Sequence, residues 1–203
     1  MTYPPFFDNV TPITLNDPLA AFLGASGDGS LTYTYLDVVK LAGHSCPTTA
    51  GAFLMLHKGL ETLYPSSLPV RGTIRVEMHQ KADEDTTGVI ASIASMVTGA
   101  SDEKGFKGLM GSFARNNLLF FGASIPLLMR LTRTDTNVYV DIAYNPGVIP
   151  PEPSVMTLMD KIKTSVATEE EKKEFGILWQ ERVRKILLES NDVSGLVTIK
   201  TGS

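Results

Sequence analysis

Gly72-Thr73-Ile74-Arg75-Val76-Glu77-Met78-His79-Gln80 alternates apolar Ile74, Val76 and Met78 with polar Thr73, Arg75, Glu77 and His79. A period of two belongs to a β-strand with one buried face and one wet face. Upstream the period changes. From Pro47 to about Tyr64, Ala50, Phe53, Leu54, His57, Leu60 and Leu63 recur at helical spacing, so this segment turns a helical face to a core. Downstream, a helix from Thr86 to about Thr98 carries Ile90, Ile93 and Val97 on one side and small residues Gly88, Ser92 and Ser95 on another, permitting close approach of a neighbour. Two further strands, near Leu127 to Thr132 and Val138 to Ala143, flank a turn at Asp135-Thr136-Asn137. The order predicts an α+β domain: a central mixed or antiparallel sheet with packed helices and a C-terminal helical extension.

Three regions follow from composition. Residues 1–34, rich in Pro, Asn, Asp and Gly, read as a packed arm with a turn or two of helix at Leu19 to Leu23. Residues 35–144 form the core, opening on a short helix with Leu36, Val39 and Leu41 that Gly43 stops. Residues 145–203 hold a Pro-rich linker, helices from Val155 to about Ser165 and Thr168 to about Glu189, and a final strand from Gly195 to Lys200. Thr168 and Glu171 have capping-box spacing.

The chain has 203 residues, 43% hydrophobic, with 18 basic against 22 acidic residues. Such a composition suits a globular fold with a substantial core, and the absence of a basic run argues against nucleic acid as a partner. No apolar stretch is long enough to cross a bilayer, so no membrane partner is expected. A single cysteine excludes an intramolecular disulfide, and no secretion signal is evident, making the cytoplasm the expected compartment.

That cysteine defines the candidate site. In His44-Ser45-Cys46-Pro47, proline suits the first position of a helix, which makes Cys46 the N-cap with the Thr48 and Thr49 N–H groups toward its sulfur. Helix N-termini favour thiolates, the nucleophilic and metal-binding form. His44 is placed to act as co-ligand or base; the alternative is an inert buried thiol beside a histidine satisfied by backbone. His57 lies about 16 Å further along the helix axis, too far to share a metal with Cys46, and reads as a hydrogen-bonded core-face residue. His79 stands at a strand end, where loops commonly hold ligands, and is the leading third metal ligand; a solvent-facing role is the alternative. Asp83-Glu84-Asp85 precedes a helix and suits capping, although Asp83 or Asp85 is also placed to complete a metal shell. Gly105, Gly108 and Gly111 match no phosphate-loop fingerprint and read as a flap, with Lys107 and Arg115 as candidate anchors for a substrate carboxylate or phosphate.

The string Ala42-Gly43-His44-Ser45-Cys46-Pro47 resembles the Gly-His-x-Cys-Pro-Gly signature of the formylmethanofuran dehydrogenase FmdE family, with Thr48 in place of its glycine. The resemblance spans roughly Leu36 to Phe121 and includes the 71–80 strand, Thr98-Gly99 and Asn117-Leu118-Leu119. It implies an α+β core, a homodimer, and zinc or another divalent transition metal near the motif His and Cys. Asp83 to Gly88 occupies the place where many members carry a second cysteine and an aspartate. The C-terminal zinc finger of some members is excluded by the single cysteine.

One thiolate with one or two histidines suits an open zinc site, and zinc-bound water ionises near neutral pH. The first functional expectation is therefore a metal-dependent enzyme acting on a small molecule. The alternatives are a metal-free thiol nucleophile or sulfur carrier, and an accessory protein holding a metal, haem or pterin-type cofactor for an oxidoreductase. Haem fits less well, because no c-type attachment motif is present.

Overall fold

The computed structural model describes residues 3–203. After a 3-10 turn, β1 (Ile13–Asn16) and β2 (Ser30–Tyr33) form an antiparallel pair with the short α1 (Pro18–Phe22) between them. Asp17 caps α1, accepting the N–H groups of Leu19 and Ala20. The helix α2 (Tyr35–Ala42) starts on a reciprocal cap between Thr34 and Asp37 and stops where Gly43 turns left-handed.

The next helix, α3 (Pro47–Leu63), is enclosed rather than one-faced: every residue from Thr49 to Leu56 is buried. A sheet covers one side. Its strands are β3 (Ile74–Met78), β4 (Leu119–Phe120), β5 (Met129–Arg133), β6 (Tyr139–Tyr144) and β7 (Val197–Gly202), in the order β4-β3-β5-β6-β7. Within this sheet β3 and β4 run parallel and the other pairs are antiparallel. The α+β class with a mixed sheet is as the sequence predicts. Met78, Met129, Ile142 and Ile199 stand in one register row, and Val76, Leu131 and Val140 in the next. These rows meet α3 and α4 (Thr87–Thr98). The far side of α3 is covered by α6 (Glu169–Leu188), on which α5 (Pro153–Lys163) packs. Because β7 pairs along all of β6, residues after the Pro-rich linker belong to the core.

The opposite sheet face carries the polar phase of each strand. Glu77, Arg130, Asp141 and Lys200 stand in register across it. Arg130 forks onto Asp141 at 2.7 and 2.8 Å and lies 3.8 Å over the Tyr139 ring, which explains why Asp141 is buried without a helix above it.

Three expectations are corrected. The acidic run does not supply the side-chain cap of α4: Thr86 is the N-cap without a side-chain bond, Asp85 adopts a left-handed backbone and accepts from Gln80, and Glu84 accepts the Lys81 N–H. His57 lies at the rim of a surface groove, not in the core, paired with Glu61 at 3.3 Å. The N-terminal arm contains the β1–β2 pair, which composition does not signal.

Asp17 also fastens the arm to the core. Its two oxygens receive Arg115 at 2.7 Å and Arg71 at 2.9 Å, and Arg71 bonds the Val97 and Met96 carbonyls at the end of α4. The Arg115 guanidinium lies against Gly72, where any Cβ would collide with it. Burial by itself raises the Asp17 carboxyl; the hydrogen bond from Arg71, the charge of Arg115 and the Ala20 N–H together reverse this and hold it below the ordinary value. Removing one partner of a buried pair costs about 3–5 kcal/mol, so Asp17→Asn should lower unfolding free energy by that order at neutral pH. A carboxyl depressed in the folded state stabilises above its unfolded value and loses this effect as pH falls toward the folded one. Urea denaturation should therefore show the gap between wild type and Asp17→Asn closing below about pH 4; a gap unchanged down to about pH 2 would contradict the pairing.

Candidate functional site

Cys46 is the N-cap of α3, as the Pro47 signal predicts. Its sulfur accepts the Thr49 N–H at 3.5 Å, and the Thr49 hydroxyl oxygen accepts the Cys46 N–H at 3.0 Å. The cap is reciprocal, and Pro47 supplies a fixed φ without an N–H to satisfy. The half-buried sulfur therefore sits on the positive end of a 17-residue helix.

The segment around the sulfur is clamped by residues distant in sequence. The Ser45 carbonyl accepts from Trp179 Nε1 at 3.0 Å and Gln180 Nε2 at 3.2 Å, while the Ser45 hydroxyl donates to Gln180 Oε1 at 2.9 Å. The Tyr35 hydroxyl lies 3.0 Å from Ser45 Oγ and 3.2 Å from Thr49 Oγ1. On the sheet side, the Tyr144 hydroxyl donates to the Pro47 carbonyl at 2.8 Å. Burial pushes the Tyr35 phenol up to about 12, with the Ser45 and Thr49 hydrogen bonds opposing and the Cys46 charge adding to the rise. Burial raises Tyr144 as well, opposed by Arg182 and reinforced by Cys46 and Tyr35. Both phenols therefore keep their protons at neutral pH and serve as hydrogen-bond donors.

The other candidates have different surroundings. His44 is exposed; its Nδ1–H donates to the Ala42 carbonyl at 2.9 Å, and its ring lines a groove of about 230 Å³ with Leu41, Val89 and Ser92 between α2 and α4. His79 donates Nδ1–H to the Ile125 carbonyl at 2.9 Å. Because a carbonyl only accepts, each neutral ring presents Nε2 as its lone-pair nitrogen, the usual orientation of a metal-binding imidazole. His79 follows the end of β3 in an exposed bend, its N–H bonded to the Leu128 carbonyl. Cys46 lies beside Pro47, whose carbonyl is held by Tyr144 on the Met78 side of the sheet. Asp83 is exposed and Asp85 bonds Gln80. Among the described residues, no group of three or more His, Cys, Asp and Glu side chains is placed to hold a metal ion. A zinc site with three ligands from His44, Cys46 and His79 does not fit this arrangement.

The two expected substrate anchors also part company. Arg115 is 6% exposed and committed to Asp17, so its place is in the frame of the fold. Lys107 is exposed on the same loop, which backbone bonds hold in shape: the Phe106 carbonyl accepts the Arg115 N–H and the Asp102 carbonyl accepts the Asn117 N–H.

Sequence reasoning missed Tyr35, Tyr144, Trp179 and Gln180. Trp179 is the lone tryptophan, a weak signal for an anchoring role; Tyr144 carries none, because its importance comes from Gly51, over which its ring lies with no room for a Cβ. Gly51→Ala should therefore displace the Tyr144 ring and destabilise the fold by about 1–3 kcal/mol, visible in thermal unfolding as about 2–4 °C per kcal/mol. An unchanged melting temperature would show that the ring is not held there. Neither a protein-family model nor a curated protein matches this chain.

Proposed function

We propose that Cys46 is the reacting group of this protein, a thiol nucleophile or sulfur carrier for a small molecule. The observation that carries this reading is the Thr49 N–H on the Cys46 sulfur at the start of α3. An anionic sulfur, or the charge developing as it attacks, meets the unpaired N–H groups of the helix there. Ser45, Trp179, Gln180 and Tyr144 hold the backbone on both sides of the sulfur, so it is presented in a fixed direction. No hydrogen bond joins His44 to the sulfur; the histidine stands in the α2–α4 groove, and the thiol proton passes to solvent. A reduced, reactive thiol suits the cytoplasm.

A second reading is favoured by the His44 imidazole, whose Nδ1 is held by backbone so that Nε2 is left as its lone-pair nitrogen. In the manner of the formylmethanofuran dehydrogenase FmdE family, His44 and Cys46 would give two donors to zinc or another divalent transition metal. The remaining donors would then come from the substrate, water or the other protomer of a homodimer. Fewer than four protein ligands leave a metal open to substrate.

Alkylation by iodoacetamide at neutral pH, compared with a cysteine peptide, tests the first reading. The wild type should react several-fold faster, and Cys46→Ala should take up no label. A rate slower than the peptide would overturn it. Elemental analysis of the same preparations separates the second: near-stoichiometric metal lost in both Cys46→Ala and His44→Ala but kept in His79→Ala would replace the thiol reading by a metal centre.

A further inference from the structure

Away from Cys46, the C-terminal half of α3, the end of α6 and residues 9–11 of the arm enclose a groove of about 320 Å³. Its lining is mostly polar, with the buried Phe53, Leu54 and Leu187 as its apolar part. Its wall carries a cation and an anion from one turn of α3. Lys58 and Glu61 are three positions apart, about 4.5 Å along the helix axis, an arrangement that ordinarily invites mutual pairing. They do not pair. Lys58 Nζ donates instead to Asn191 Oδ1 at 2.6 Å, and Glu61 Oε2 faces His57 Nδ1 at 3.3 Å. Lys58 is thus engaged by a neutral amide and the largely exposed Glu61 by the His57 imidazole, and each keeps bonding capacity: Lys58 has two further N–H donors and Glu61 a second oxygen.

We infer that this groove binds a small zwitterion with an apolar portion, of the chemical class of an aliphatic α-amino acid. The ligand carboxylate meets Lys58, its ammonium meets Glu61, and its side chain lies over Phe53, Leu54 and Leu187. A simple carboxylate would bring a like charge toward Glu61, and a simple amine one toward Lys58; the zwitterion meets each with its opposite. His57 supports the ammonium end by holding the Glu61 carboxylate in place. The volume lies at the small end of ligand pockets, in keeping with a ligand of amino-acid size. The groove shares no residue with the Cys46 clamp, so the inference is independent of the thiol reading.

With only three histidines in the chain, the imidazole proton signals of His57 are readily assigned by substitution. L-Leucine titrated to tens of millimolar should shift the His57 signals saturably and leave those of His44 and His79 in place. Isocaproate and isoamylamine, each lacking one charge, should bind at least about tenfold more weakly, a difference near 1.4 kcal/mol. Lys58→Met and Glu61→Gln should each lose a similar factor with unchanged melting temperature, and Cys46→Ala should bind as the wild type does. Absence of a saturable His57 shift with leucine, or isocaproate binding as well as leucine, would overturn the inference.

Discussion

The fold depends on the enclosure of α3. Eight successive buried residues, Thr49 to Leu56, leave this stretch no side that water can face, so every direction around it has to be filled. The sheet fills one, α4 and α2 a second, and α6 a third. A side chain buried this way contributes on the order of 1.5–3 kcal/mol when it is the size of Leu, Met or Phe, and the segment holds one Phe, two Leu and one Met. Two glycines set how close the sheet can come. A Cβ at Gly51 would enter the Tyr144 ring and one at Gly59 the Ile142 side chain, so the helix backbone lies directly on β6.

That close approach also shapes the candidate site. Tyr144 lies against Gly51 and so brings its hydroxyl to the Pro47 carbonyl, one residue from the sulfur. On the other side α6 arrives against α3 for reasons of burial, through Val183, Ile186 and Leu187, and this docking presents Trp179 and Gln180 to Ser45. The hydrogen bonds around Cys46 are thus fixed by packing that lies elsewhere along both helices. The backbone on both sides of Cys46 is therefore fixed, and the side chain leaves it at the helix N-terminus, where the Thr49 N–H meets the sulfur.

The parts legible in the sequence are those with local causes. The alternation in β3, the left-handed stop at Gly43, the Cys46-Pro47 helix start and the Thr168–Glu171 cap each act within a few residues, and each stands where it is expected. The β1–β2 pair and the two-residue β4 are too short for a period to emerge. The run Asp83-Glu84-Asp85 reads as the source of a cap because acids favour helix starts, but Asp85 has a left-handed backbone and its carboxylate bonds Gln80 instead. Arg115 resembles a substrate anchor because it is a lone arginine beside glycines. Its partner Asp17 lies 98 residues away, and no local pattern announces a pairing of that range. The Ser45–Gln180 clamp, 135 residues apart, is hidden for the same reason.

One separation, by contrast, follows from pattern alone. Ile74, Val76 and Met78 form the apolar phase of β3, so the sheet face they line is the one that receives the apolar helix α3. A residue in the other phase faces away from that helix by strand geometry, whatever its chemistry. His79 is in the other phase. Position at a strand end favours ligand binding only when the side chain also shares a face with its intended neighbours, and the N-terminus of α3 rests on the Met78 side, against Tyr144. The alternation that identifies the strand therefore already sets His79 out of phase with Met78, although β3 itself ends at Met78. The sulfur accordingly sits at a helix N-terminus whose flanking backbone is held by phenol, indole and amide donors, while Glu77, Arg130 and Asp141 balance one another on the polar sheet face.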